Sequence, residues 1–216
     1  MSLRWKIAQW FELRWWRQYL RGKDKASYLA WKKNYWNKLL GKIAAEVKID
    51  ASKTIIDMGC GPTGIFIALP DNKTTAIDPL LDKYEKQTHF FKKSDYPSVR
   101  FLKSRLEDFE VDGIKYDVVF CMNAINHVHD IERGFEKLKE ACGVSGVIVL
   151  SIDAHNYSFF KYLFRLIPGD ILHPHQYDIR EYTDFSETGG WKTTLTLLLK
   201  HEFFFDHYLL VVKKAM

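Results

Sequence analysis

The sequence predicts an α/β domain: a three-layer sandwich on a mostly parallel, seven-stranded sheet that ends in an antiparallel hairpin, with a helical extension in front. Three observations predict it. Beyond Ala51, short β-branched or apolar runs alternate with helical stretches, as in a parallel sheet with crossover helices. The first of these runs leads straight into a glycine-rich turn and a helical stretch. The last two runs stand too close together for a crossover, so they must pair as a hairpin.

The extension comes first. From Leu3 to Leu20 the apolar residues Leu3, Ile7, Trp10, Phe11 and Trp15 fall at three- and four-residue steps, which puts them on one face of a helix. A second helix is expected from Lys25 to about Lys48, with Gly22 ending the first and Asp24 capping the second. Residues 1–50 are therefore read as a helical cap and 51–216 as the sheet domain.

Within the domain the expected strands are Thr54 to Met58, Thr74 to Ile77, Val99 to Lys103, Asp117 to Met122 and Gly146 to Ile152. Helical stretches are expected near Ile65 to Leu69, Leu80 to Phe91 and Ile131 to Cys142. Residues 154–178 break this rhythm with aromatic residues, Pro168-Gly169 and the polar run His173-Pro174-His175-Gln176-Tyr177, and read as an inserted lid-like segment. A helix from Ile179 to Thr188 should stop at Gly189-Gly190, followed by strands at Lys192 to Phe204 and His207 to Lys213 about Asp206.

A chain of 216 residues, 47% hydrophobic and 27% charged, suits one globular enzyme-sized unit and excludes a disordered or fibrous chain. The net charge of +5 is uneven: before Asp50, Lys and Arg outnumber Asp and Glu twelve to three. That front end suits an acidic ligand or an anionic surface. Its basic residues form no separate nucleic-acid module, so no nucleic-acid partner is expected. Cys60, Cys121 and Cys142 have no metal-ligand or CxxC spacing, which argues against a disulfide framework and for a reducing cytoplasm. No apolar run approaches the roughly 18 residues of a membrane span, and the start does not read as a signal peptide.

The chemistry centres on Asp57-Met58-Gly59-Cys60-Gly61-Pro62-Thr63-Gly64. Glycines at a strand-to-helix turn let backbone approach a ligand at the carboxyl edge of a parallel sheet. Asp78, at the end of the second strand, is placed to bind ribose hydroxyls. This spacing equally satisfies a dinucleotide pattern, which keeps an NAD(P)-dependent oxidoreductase open, as well as a tight turn with no ligand. Asp57 tilts the balance, because a dinucleotide strand is usually apolar there and a carboxylate can face a cationic amino-acid moiety.

Ile56-Asp57-Met58-Gly59-Cys60-Gly61 resembles motif I of the class I S-adenosylmethionine-dependent methyltransferases. The run from Tyr116 to Val128 resembles the fourth-strand motif of the small-molecule, type 11-like branch of that family, and Gly189-Gly190-Trp191 with two strands resembles its ending. The resemblance covers about Ala51 to Asp153 and the tail from Ile179. It implies a Rossmann-like fold, S-adenosyl-L-methionine as donor and a small-molecule or lipid-linked acceptor. Around the donor it implies Asp57, Gly59, Cys60, Gly61, Gly64, Asp78 and Asn123, with Pro79 and Leu80 packing the adenine. It also implies an adenine-contacting turn at Leu106 and Glu107, where Arg105 stands in place of the family's frequent acid.

Methyl transfer from a sulfonium is an in-line displacement, in which alignment and solvent exclusion do much of the work. Where the acceptor carries a proton, a histidine is the natural base. His127 follows the fourth strand and is the first candidate, His129 the second. Tyr35 and Trp36 of the cap and His173, His175 and Tyr177 of the insertion are expected to face the acceptor. No metal site is assigned to these histidines. The Trp- and Arg-rich cap has four readings: helix packing, a wall of the acceptor pocket, peripheral membrane contact, or a homodimer face. A non-catalytic binding protein with this fold is the remaining alternative.

Overall fold

The computed structural model describes residues 3–157, 175 and 177–215, with side chains from Lys6 onward. Its sheet has seven strands: β1 (Thr54–Met58), β2 (Lys73–Ile77), β3 (Val99–Leu102), β4 (Tyr116–Met122), β5 (Cys142–His155), β6 (Trp191–His201) and β7 (Phe205–Lys214). They lie in the order β3-β2-β1-β4-β5-β7-β6. The first five are parallel, whereas β7 runs antiparallel to both β5 and β6.

The period-two alternation of these strands sorts apolar side chains onto two faces. Ile56, Met58, Val119, Cys121, Ile148, Leu150 and Leu210 share a core with α4 (Ile131–Ala141) and α5 (Ile179–Glu187) through Phe135, Leu138 and Tyr182. The alternate positions Ile55, Val118, Phe120, Val149 and Leu209 pack instead on α2 (Lys25–Ile43) through Trp36, Leu39 and Ile43. Helices on both faces make the three-layer sandwich that the alternation predicts. Asp130 and Asp178 cap α4 and α5, the latter in a reciprocal capping box with Glu181.

Several boundaries move. The helix expected at Ile65–Leu69 is only one 3-10 turn, Ile65–Ala68, and the helix expected from Leu80 to Phe91 contracts to α3 (Leu81–Gln87). Phe90 and Phe91 end fully buried in side-chain clusters outside that helix. The hairpin turns at residues 202–204, not at Asp206, which pairs with His201 inside the ladder. Most of the lid-like insertion, His173 included, lies outside the described residues.

The largest difference concerns α1 (Leu3–Leu20). The stripe expected to pack, Ile7, Phe11 and Trp15 with Trp10, is exposed. The opposite stripe docks: Leu13 joins Cys60, Leu80, Tyr84 and Phe91, and Leu20 joins Tyr28 and Phe90. The polar Gln9 and Glu12 fall on this inward stripe, which is why apolar periodicity missed it. Among the described residues no helix is long and apolar enough to cross a membrane.

Candidate functional site

The glycine turn is fastened from below. After β1, the amides of Gly59 and Cys60 both donate to Ile77 O, at 2.8 and 3.0 Å, tying the turn to the end of β2. Gly59 has φ +79°, and a β-carbon there would collide with that of Ala124, in the turn after β4. Glycine is therefore required twice over, for its conformation and for the close approach.

Asp57 does not do what its sequence position suggests. Its side chain shares the face of Ile55 and turns beneath the loop, where Oδ2 accepts the amide of Ile65 at 2.9 Å and the carboxyl group also interacts with the amide of Phe66. It thereby closes the 3-10 turn instead of facing the cleft, and it is fully buried with Oδ1 unbonded. Desolvation pushes its pKa up to about 7. Gly64 and Leu80, also expected around the donor, serve the framework too: Gly64 lies against Asp57, and Leu80 N donates to Asp78 Oδ1 at 2.7 Å. Asp57, Gly64 and Leu80 do not line the cavity described next.

Above the turn, at the carboxyl ends of β1, β2, β4 and β5, lies a cavity of about 800 Å³. Gly59, Cys60, Gly61, Asp78, Pro79, Leu106, Glu107 and Asn123 line it, as does His127. Asp78 Oδ2 accepts Gly61 N at 3.0 Å, and burial together with neighbouring Glu12 pushes its pKa up to about 7. Asn123, at φ +53°, turns the chain out of β4 while its amide donates to Ser151 O at 3.0 Å. His127 sits at the end of the following 3-10 turn and faces the cavity.

The helical cap forms the roof. Trp36 Nε1 donates to Thr63 O at 3.1 Å, pinning α2 to the glycine turn, and Tyr35 lies beside it on the cavity wall. Lys32, one turn earlier, holds its ammonium 4.3 Å from the centre of the Trp36 ring and 4.7 Å from that of Tyr35. Burial lowers its pKa to about 8, against the attraction of Asp57. Sequence reasoning missed Lys32, although its spacing from Tyr35 and Trp36 places all three on one helical face.

The far wall comes from the end of the chain. Asp153 of β5 and His207 of β7 are cross-strand partners, and His207 Nδ1 is paired with the Asp153 carboxylate. Glu202 Oε2 lies 3.5 Å from His207 Nε2. These three also went unnoticed in the sequence, since only the pairing of β5 with β7 brings them together.

Other expected residues lie elsewhere. His129 faces a separate, polar depression with Asp108 and Arg133, and its amide donates to Glu107 Oε1 at 2.6 Å. His175 is bonded through Nε2 to Val128 O at 2.8 Å and stacks on Tyr177, which packs against the sheet core. Burial lowers the His175 pKa. Neither His175 nor Tyr177 lines the cavity. Arg105, which does, is turned toward Asp108 with Nη2 2.8 Å from Oδ1.

Residues 28–191 match a family model described as a methyltransferase domain. Over 128 residues the chain is 32% identical to the ubiquinone biosynthesis O-methyltransferase of Rickettsia typhi, covering 57% of this chain and 50% of that one. It is 27% identical over 158 residues to the enzyme of the same name from Rickettsia prowazekii, covering 64% and 61%. The chain thus spans half to three-fifths of these relatives. In fold it is similar to the magnesium protoporphyrin IX methyltransferase of Synechocystis, with a TM-score of 0.64 at 13% identity over 100% of this chain and 98% of that one. It is also similar to the 1,6-didemethyltoxoflavin-N1-methyltransferase of Burkholderia thailandensis, with a TM-score of 0.61 at 10% identity over 100% and 92%.

Proposed function

The chain belongs to the methyltransferase-domain family, and on that premise we propose that it transfers a methyl group from S-adenosylmethionine to a small-molecule acceptor bound in the same cleft. The observation that carries this reading is the cavity of about 800 Å³ lined by the glycine turn and Asp78 together with the imidazoles of His127 and His207. The residues present fit the donor. The backbone of Gly59 to Gly61 gives a close floor, and Asp78 faces the ribose end. Lys32 is the buried cation that meets the carboxylate of the methionine portion. Pro79, Leu106 and Glu107 enclose the adenine end, and Asn123 borders the methyl. Asp57, Gly64 and Leu80 act on the donor indirectly, by holding the turn.

The donor supplies an activated methyl on a cationic sulfur. The protein's part is alignment, exclusion of water and removal of the acceptor proton. His127 faces the cavity just past Asn123 and is the residue we assign to that proton, with Tyr35 and Trp36 as the acceptor's roof. Both Rickettsia relatives described above are named for O-methylation in ubiquinone biosynthesis, which supports a phenolic, lipid-linked acceptor for this chain. The exposed stripe favours the same class. Ile7, Trp10, Phe11, Trp15, Trp31 and Tyr35 are exposed on α1 and α2, Trp15 and Tyr35 of them at the cleft, and the same helices also expose Arg14, Arg17, Lys33 and Lys38. Aromatic and basic side chains together suit an anionic bilayer surface. Pairing of two copies through this face would oppose like charges. Cys60, Cys121 and Cys142 are buried free thiols, in keeping with a cytoplasmic setting.

A titration with S-adenosylhomocysteine and with NADH tests the donor. Micromolar affinity for the first and none for the second is expected. The reverse result would return the chain to the oxidoreductase reading.

A further inference from the structure

Helix α1 lies outside the residues matched by the family model, yet it puts two polar side chains into the donor end of the cleft. We propose that Glu12 and Gln9 complete, opposite Asp78, a receptor for the ribose hydroxyls of the nucleoside donor. This rests on the donor reading above and adds to it a second source of recognition.

The hydrogen-bond inventory motivates it. An acid at the end of β2 could present both oxygens to a vicinal diol, but Asp78 already uses each to accept a backbone amide, from Gly61 and Leu80. Its hydrogen-bonding capacity is therefore partly spent on the glycine turn and the start of α3. Glu12 stands across from it. Its Oε1 accepts Tyr84 Oη at 3.1 Å and its Oε2 accepts Gln9 Nε2 at 3.2 Å. That leaves Gln9 Oε1 buried with no hydrogen-bond partner in a side chain only 7% exposed. A buried acceptor in that state is destabilising unless a ligand brings a donor to it.

The electrostatics select the kind of donor. Asp78 is buried and Glu12 half-buried, and each pKa is raised chiefly by desolvation, with Glu12 raising that of Asp78 further; no cation stands among the causes for either. Two crowded carboxyl groups of this kind repel a phosphate, and each is disposed toward holding a proton. Carboxyl groups that can carry a proton, beside an amide oxygen, offer both acceptors and a donor. Vicinal hydroxyls, which each donate and accept, complement that set. Leu13, one residue on, anchors α1 against Cys60, Leu80 and Tyr84, so Glu12 is held in place by packing.

The test uses S-adenosylhomocysteine and its 2′,3′-dideoxy analogue, titrated calorimetrically into wild type, Glu12→Gln and Gln9→Leu, with thermal midpoints as the folding control. The wild type should prefer the ribonucleoside at least about tenfold, the worth of one charge-assisted hydrogen bond. Each variant should lose about that factor for the ribonucleoside and less than about twofold for the dideoxy analogue. Equal affinity of the wild type for both ligands, or equal losses for both in the variants, would overturn the inference and leave the donor reading standing. Failure of the wild type to bind either ligand would overturn both.

Discussion

Gly64 has no space for a β-carbon, because Asp57 Oδ2 occupies the place where that carbon would be. The acid and the glycine are thus one device: the carboxylate turns under the loop only because residue 64 is bare, and there it accepts the amides that begin the 3-10 turn. Gly64→Ala should cost roughly 2 to 4 kcal/mol, since either the buried carboxylate or the loop must move. Urea denaturation measures the loss, and affinity for S-adenosylhomocysteine should fall with it. Wild-type stability in the alanine variant would refute the coupling.

Asp57 also sets a pH dependence. Its pKa is about 7 in the folded protein against an ordinary 3.8, so the folded state holds a proton that the unfolded state releases. The associated stability is present below about pH 4 and is lost as the pH rises toward 7, on the order of 4 kcal/mol for this group. Asp78 acts in the same direction. The unliganded protein should therefore lose stability between about pH 4.5 and 7, and Asp57→Asn should flatten that slope. Parallel stability curves for the two proteins across this range would contradict the assignment.

Lys32 gives a ligand-linked dependence of its own. Its pKa of about 8 means that its charge disappears in mildly alkaline solution. Affinity for S-adenosylhomocysteine should fall as the pH rises through 8, more steeply in wild type than in Lys32→Met. Affinity for 5′-methylthioadenosine, which lacks the carboxylate, should differ little between the two proteins. A lysine that merely packs on Trp36 would change both affinities alike.

The outward stripe of α1 makes the membrane reading testable without touching the cleft. Trp10 is 53% exposed and Phe11 40%, and neither lines the cavity. The protein should co-sediment with phosphatidylglycerol vesicles, less so as salt is raised, and weakly with phosphatidylcholine. The double variant Trp10→Ser, Phe11→Ser should abolish sedimentation. A wild-type dimer in solution that the same variant dissolves would point to self-association instead.

What the sequence disclosed follows from which contacts are local. The strands were legible because burial on two faces leaves a β-branched run such as Thr54–Met58, and the glycine turn because Gly59 and Gly61 adopt positive φ. The face of α1 was not, since an apolar stripe that stays in solvent looks the same in sequence as one that packs. Asp57 stands out in the sequence as an acid in an apolar strand, yet its direction depends on Gly64 and on the amides of the next turn. Lys32 lies in a helix remote in sequence from the glycine loop, while Glu202 and His207 reach the cleft only through the pairing of β7 with β5.

That pairing also divides the labour of the chain. In the proposed reading the donor end of the cleft draws on α1, Lys32 of α2 and the ends of β1 and β2, whereas Asp153, Glu202 and His207 come from β5 and the closing hairpin. The residues at the hairpin turn, 202–204, can consequently be exchanged or lengthened while the nucleoside seat stays intact. On the proposed function, a change in what is methylated is thereby separable from the seat of the methyl donor, and the tip of one hairpin is where an engineer would begin to alter acceptor choice.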